Sequence, residues 1–201
     1  MQLIGMLDSP YVRRVAISLR LMGLPFSHRA VSVFRHLPDF QAINPVVKAP
    51  TLILEDGSTL MDSTLILDYL DTLHPECSLM PSSLPQRQHC LYLLGLALAA
   101  MEKSVQLIYE QQLRPEDKRH PPWQERVSAQ LLAAYTLLEQ SMTRQPLDID
   151  VLDQAGISIA VAWRFTRELL PQQLNWADFP RLQRWSTQAE ALPAFIATPF
   201  E

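Results

Sequence analysis

The chain carries only two cysteines, Cys77 and Cys90, in 201 residues, too few for the disulfide framework of a small secreted domain. Its five histidines show no metal-ligand spacing and no carboxylate cluster accompanies them, so no metal site is expected. Basic residues are outnumbered, 17 Lys and Arg against 21 Asp and Glu, for a net charge of −4. The calculated pI of 5.7 leaves no basic footprint for nucleic acid. The cluster of Arg114, Lys118 and Arg119 is interrupted by Glu116 and Asp117 and reads as a solvated loop. The longest apolar run, Cys90 to Met101, is a dozen residues and too short to span a bilayer. The opening Met1-Gln2-Leu3-Ile4-Gly5-Met6 has neither the basic lead nor the apolar stretch of a signal peptide. A cytoplasmic protein with no nucleic-acid and no membrane partner is therefore expected. No internal repeat and no low-complexity tract is visible.

What remains is an ordinary globular composition, 48% hydrophobic and 19% charged, long enough for one large domain or two small ones. Residues 2–7 suit a short buried strand. From Pro10 to Leu21 the apolar positions Val12, Val15, Ala16 and Leu19 recur at helical spacing, which assigns Arg13, Arg14 and Arg20 to the other face. Gly23-Leu24-Pro25 stops that helix. His28 to Val33 reads as a second strand and Leu37 to Ile43 as a short helix. Thr51 to Glu55 and Ser58 to Met61 flank Asp56-Gly57, a hairpin signal. Ser63 to Leu73 follows as a helix. This order is βαβ and then ββα. The proline- and serine-rich stretch from Pro75 to Pro85 marks a linker. Beyond it every periodic segment is helical: Gln86 to Leu113, Trp123 to Thr143, Asp153 to Leu170, Trp176 to Ala191 and a closing Pro193 to Phe200. The expected organisation is an α/β domain over 1–75, a linker over 76–85 and an all-α domain over 86–201.

Three segments of the first domain carry candidate chemistry. Ser9-Pro10 opens a helix, where serine either caps the backbone or holds an anion. Val47-Lys48-Ala49-Pro50-Thr51-Leu52 sets a proline ahead of a strand, where the bond before it can be held cis and turn backbone groups toward a peptide-like ligand. Asp62-Ser63 opens a second helix with the same choice between a cap and an anion site.

Together with Asn44-Pro45-Val46 and Asp62-Ser63-Thr64-Leu65-Ile66-Leu67-Asp68-Tyr69-Leu70, these segments resemble the glutathione S-transferase family over nearly the whole chain, and most of all its bacterial serine-type members. The resemblance implies a thioredoxin-like N-terminal domain followed by a helical bundle. It implies glutathione as co-substrate, with no metal, and an electrophilic small molecule as its partner. Ser9 would be the catalytic residue, donating a hydrogen bond to the glutathione thiolate. The alternative of a plain helix cap stays open. Ala49, before a cis Pro50, would pair its backbone with the cysteinyl part, and Lys48 would either approach the glycyl carboxylate or stay solvated. Asp62 and Ser63 would receive the γ-glutamyl end or simply cap their helix. A homodimer is implied as well.

The chain departs from the family pattern at several places. Ser9-Pro10-Tyr11-Val12 stands where thioredoxin-like redox proteins carry two cysteines, so thiol–disulfide exchange lacks its nucleophile there. Ala49 replaces the usual valine and Asp62 the usual glutamate, one methylene shorter. In the second domain Asp153 can still cap a helix, but Gly156 cannot complete the capping box. Met101, Val105, Ile108 and Tyr109 either line an acceptor pocket or form a core stripe, and Trp163 and Phe200 are similar cases. His36, Cys77 and Cys90 read as bystanders. The competing functional reading is a non-catalytic interaction protein on the same fold, as in the stringent starvation proteins that contact RNA polymerase.

Overall fold

The computed structural model describes residues 1–201. The chain divides into two compact units, residues 1–80 with 191–201, and residues 81–190. The first unit runs β1 (Gln2–Ile4), α1 (Pro10–Leu21), β2 (Ser27–Arg29), α2 (Leu37–Ile43), β3 (Thr51–Ile53), β4 (Thr59–Met61) and α3 (Ser63–Leu73), and it takes in the last helix, α8 (Pro193–Ile196). The second contains α4 (Leu84–Gln112), α5 (Pro121–Arg144), α6 (Gln154–Leu169) and α7 (Pro180–Glu190). This is the thioredoxin-like plus helical-bundle architecture expected.

Strand order is β2-β1-β3-β4, with β1 and β2 parallel and the other pairs antiparallel. Side chains alternate across such a sheet, so neighbouring residues serve two cores. Leu3 and Leu52 pack with Val12, Val15, Leu19, Ile66 and Leu70 of α1 and α3. Ile4 joins Val31 and Phe40, against Ile43 and Ile53, and so packs with α2. Helix α1 ends in a Schellman motif: Leu24 N–H donates to Leu19 O and Gly23 N–H to Arg20 O, with Gly23 at φ +69°.

Several expectations need correction. Strand β2 covers Ser27–Arg29 and is exposed throughout, not His28 to Val33, because as an edge strand it is only as long as the three residues of β1 that pair with it. Arg13 and Arg14 are not on a solvent face; each is 1% exposed. The terminal segment 191–201 belongs with the first unit rather than the helical one. Arg13 explains both facts, since its Nε–H donates to Thr198 O at 2.8 Å and its guanidinium lies 5.7 Å from the centre of the Phe195 ring. A buried guanidinium needs such partners.

In the second unit α4 is one continuous helix of 29 residues, long and apolar enough to cross a membrane by length and composition alone. The dozen apolar residues seen in sequence understated it. Here α4 is a core helix, burying Cys90, Leu93, Ala97, Met101 and Leu107 and packing on α5 and α6. The segment expected as one helix from Trp176 is a turn, Trp176–Asp178, followed by α7. Pro180 starts that helix because it has no N–H to offer a preceding turn. Both oxygens of Glu139 cap α7 from α5, accepting the N–H groups of Arg181 and Leu182 at 2.9 and 3.0 Å. Between α4, α5 and α6 the hydroxyls of Ser104, Tyr135 and Thr166 are joined at 2.7 and 2.6 Å and end on Ala162 O. Such a closed network satisfies its members without water.

Gly156, an apparent defect in sequence, is required by packing. Asp153 caps α6 through the Gly156 N–H at 2.8 Å, and Trp185 of α7 donates its indole N–H to Gly156 O at 2.8 Å. A Cβ at 156 would lie 2.8 Å from Trp185 Cζ2. Helix propensity alone favours alanine here by about 1 kcal/mol. We expect the opposite sign: Gly156→Ala lowers unfolding free energy in urea by about 1–3 kcal/mol because it overpacks the Trp185 contact. An unchanged or raised midpoint would refute this account. The two thiols should also differ. Burial, with Asp153 adding to it, pushes Cys90 up to about 12, while Cys77 is only partly buried. Iodoacetamide at pH 8 should label Cys77 alone in the native protein and both cysteines after denaturation.

Candidate functional site

The three segments singled out in sequence all belong to the first unit, and their local chemistry can be built up in turn. Ser9 is the N-cap of α1 at φ −70°, ψ 123°. Its Oγ accepts from Val12 N–H at 3.5 Å, the outer limit of a hydrogen bond. Pro10 occupies the next position and supplies no N–H. The hydroxyl proton of Ser9 is thus not engaged by the cap and remains a donor, beside a helix end that favours negative charge. Asp8, the preceding residue, has its carboxyl raised above the usual range by burial, with Arg35 pulling it back down.

The second segment is a loop held from within. Asn44 is buried; its Nδ2 donates to Thr51 Oγ1 at 2.9 Å and its Oδ1 accepts from Val46 N–H at 3.0 Å. Thr51 is fully buried and its hydroxyl donates a hydrogen bond to Lys48 O at 2.7 Å. These bonds carry the backbone through Val47 at φ 56°, a left-handed conformation that a β-branched residue rarely adopts. Directly after it, Ala49–Pro50 is cis. Pro50 is buried, Ala49 half-buried and Lys48 exposed.

The third segment is the start of α3. Asp62 sits at φ 72° and ψ 124°, strained for a residue with a Cβ, and its Oδ1 accepts from Thr64 N–H at 2.9 Å. Ser63 is 2% exposed. Its Oγ accepts from Arg14 Nη1 at 3.1 Å, and Thr64 Oγ1 accepts from the same nitrogen at 3.2 Å. The Ser63 hydroxyl is therefore anchored to α1, which the sequence did not reveal. What this serine retains for a ligand is its hydroxyl proton.

Arg14 is the residue that sequence reasoning missed. Placed on a solvent face by periodicity, it is instead buried and joins the N-terminal regions of α1 and α3. Burial lowers its guanidinium to about 10, with Asp62 and then Tyr11 opposing that shift, so it stays protonated at neutral pH. Gly5 was also missed. At φ +137° it takes a conformation open to glycine, and a Cβ there would meet Val12 Cγ2 at 2.5 Å and Ala49 Cβ at 3.4 Å. The close approach of the β1–α1 turn to the Ala49 loop depends on that missing side chain. Its carbonyl accepts from His28 Nε2 at 2.8 Å, which sets the tautomer with the proton on Nε2. The only signal in sequence for Gly5 was its place between a strand and a helix.

In the second unit the stripe Met101, Val105, Ile108 and Tyr109 divides. Met101 and Ile108 are core, Val105 is half-buried and Tyr109 is exposed. Trp163 is core, in edge-to-face contact with Tyr135, Trp176 and Phe179, and Phe200 is half-buried. His36 is exposed; its Nδ1 accepts from Ser32 N–H at 3.2 Å. No group of three or more His, Cys, Asp or Glu could hold a metal ion.

Residues 3–78 match the family model described as glutathione S-transferase, N-terminal domain. A glutathione transferase family member from Pseudomonas fluorescens Pf-5, solved with bound S-(propanoic acid)-glutathione, is 30% identical over 98% of this chain and 97% of its own, with a TM-score of 0.84. A glutathione S-transferase from Methylobacterium radiotolerans, in complex with glutathione sulfonate, superposes with a TM-score of 0.91 at 26% identity, over 100% and 95% of the two chains. The GST-like protein YibF of Escherichia coli is 25% identical over 81% of this chain and 80% of its own. Matches to some plant transferases cover only 36–41% of those enzymes. The chain belongs to the glutathione S-transferase family.

The link between α1 and α3 can be tested by itself. Arg14→Met keeps the length and apolar stem but leaves the Ser63 and Thr64 oxygens without their donor. It should cost about 3 kcal/mol in chemical denaturation. Exchange of the Ser63, Thr64 and Leu65 amides should rise before exchange in the sheet. A loss below about 0.5 kcal/mol would mean that the guanidinium does not hold the two helices.

Proposed function

We propose that the first unit binds reduced glutathione and that Ser9 holds its sulfur as a thiolate for attack on an electrophile or a peroxide. The observation that carries this reading is the pair of helix N-termini, Ser9 on α1 and Asp62-Ser63 on α3, braced by one buried guanidinium through Ser63 and Thr64. One end offers a hydroxyl donor and a favourable dipole for sulfur. The other offers free N–H groups and the Ser63 hydroxyl for the γ-glutamyl carboxylate, with the Asp62 carboxylate for its ammonium. In this reading the backbone of Ala49 supplies the strand-like pairing that a tripeptide needs, and exposed Lys48 would meet the glycyl carboxylate. Relatives solved with glutathione sulfonate and with S-(propanoic acid)-glutathione support the same reading.

The chemistry asked of the protein is modest. A free thiol with a pKa of about 8.5 is only a few per cent ionised at neutral pH. A hydroxyl donor and a helix end together lower it by roughly one to two units. Glutathione loses its proton to solvent, and its thiolate bonds to the electrophilic atom. The leaving group, or the alkoxide freed by O–O cleavage of a peroxide, departs and takes a proton from solvent; no bond to the enzyme forms. The remaining rate gain comes from positioning. A second copy of the chain is the partner proposed for the exposed Leu65, Tyr69 and Leu73 of α3 and for Leu91 and Tyr92 of α4.

Titration with glutathione from pH 5 to 9, followed by thiolate absorbance, tests the reading. Saturable binding is expected, with the bound thiol ionising well below its free value. In Ser9→Ala binding should persist, the thiol should ionise one to two units higher, and turnover at neutral pH should fall about tenfold or more. No binding at millimolar glutathione would overturn the enzyme reading in favour of the non-catalytic interaction protein.

A further inference from the structure

We propose that Thr64 is a further ligand-contacting residue of the first unit, one that selects an ionised carboxylate, and that Arg14 is the positioning residue that fixes its hydroxyl as a donor. The inference rests on the glutathione reading and concerns the γ-glutamyl end of that ligand.

Hydroxyl protons follow one habit in the helices of this chain. Thr72, Thr136, Thr143 and Thr187 each donate to the carbonyl four residues earlier in their own helix, which leaves nothing over for a ligand. Ser63 and Thr64 open α3, so the carbonyl four positions back lies outside their helix. Their oxygens instead accept from a single nitrogen, Arg14 Nη1, at 3.1 and 3.2 Å. A hydroxyl that accepts from a cation turns its proton away from that cation. No protein oxygen receives either proton. Ser63 is 2% exposed and Thr64 is exposed, so of the two donors that of Thr64 is the more open to a ligand.

Charge makes this donor selective. The Asp62 carboxylate sits at the same helix end and accepts from Thr64 N–H at 2.9 Å. Alone, it would repel a second carboxylate. The buried guanidinium of Arg14, which Asp62 attracts, offsets that repulsion. What then meets a ligand is the Thr64 hydroxyl, polarised by the cation behind it, beside the positive end of α3. Donors of this kind suit a group that only accepts, as an ionised carboxylate does. A carboxamide sets its own N–H groups against them and matches at one oxygen only. Because Arg14 is buried and engages both hydroxyls, the donor is oriented before any ligand arrives.

Isothermal titration of the full-length protein with S-methylglutathione tests this, since that probe has no thiol proton and leaves thiol ionisation out of the comparison. Two analogues accompany it, one carrying a carboxamide in place of the γ-glutamyl α-carboxylate and the other in place of the glycyl carboxylate. Wild-type protein should be saturated by S-methylglutathione below about 10 mM and bind the γ-glutamyl amide about tenfold more weakly. Thr64→Val, of equal size and at an exposed position, should cut that preference about fivefold. Its affinity for the γ-glutamyl amide, and its discrimination at the glycyl end, should stay within about twofold of wild type. Thr64→Ser should restore the preference. Arg14→Lys keeps a buried cation whose nitrogen ends one bond short of Nη1, and should lower the preference about two- to fivefold. A purely structural role for either residue would weaken all three ligands alike. If wild-type protein does not bind S-methylglutathione, the glutathione reading falls and this inference with it. Binding with equal affinity for the γ-glutamyl amide, or an unchanged preference in Thr64→Val, would overturn the role of Thr64 while that reading stands. An unchanged preference in Arg14→Lys would overturn the positioning role of Arg14.

Discussion

A positive charge buried between two helices organises the first unit. Arg14 keeps its proton at physiological pH, so once α1 packs on the sheet its guanidinium must find oxygens, among them the hydroxyls of Ser63 and Thr64 at the opening turn of α3. That requirement places the start of α3 against α1. It also helps to explain how Asp62 persists in a left-handed conformation, since the residues after it are pinned by Arg14 and its own carboxylate caps the helix. Arg13, on the next position of α1, meets the same demand at the chain terminus through Thr198 and Phe195. Two adjacent arginines thus tie α3 and the C-terminal segment to α1.

Much of the candidate site is backbone. Gly5 lets the β1–α1 turn approach Ala49, and Asn44 and Thr51 brace the loop that presents Ala49 before the cis proline. A site made in this way tolerates Ala49 in place of valine, because the contacts it offers come from N–H and C=O groups. It is sensitive instead to residues with no direct part in chemistry. Rigid backbone donors suit a peptide ligand, whose own backbone is what they recognise.

The helical unit follows a different rule. Its interior holds a closed hydroxyl network of Ser104, Tyr135 and Thr166, together with an aromatic cluster around Trp163, and Trp185 closes on the bare backbone of Gly156, where a Cβ would lie 2.8 Å from its ring. Substitution of a capping-box residue by glycine looks like a loss when only the helix is considered. With Trp185 in place it removes a clash and frees a carbonyl for the indole N–H.

Hydrophobic period, proline positions and turn chemistry were enough to identify most of the helices and the order of the elements along the chain, because those signals are local. Ser9 and Asp62-Ser63 were legible as helix openings because capping chemistry is local. The cis Ala49–Pro50 bond was expected only from the family resemblance, since few X-Pro bonds are cis. The length of β2, the burial of Arg13 and Arg14, the return of residues 191–201 to the first unit and the need for Gly156 were not legible. Each depends on what a distant segment brings. A helical period marks Val12, Val15 and Leu19 as inward, but it cannot say that α3 and the chain terminus will cover the opposite face and supply acceptors for two guanidinium groups. By itself the sequence determined the kind of the elements and their order along the chain; only the tertiary structure decided where several of them begin and which polar groups are buried, because both depend on partners far apart along the chain.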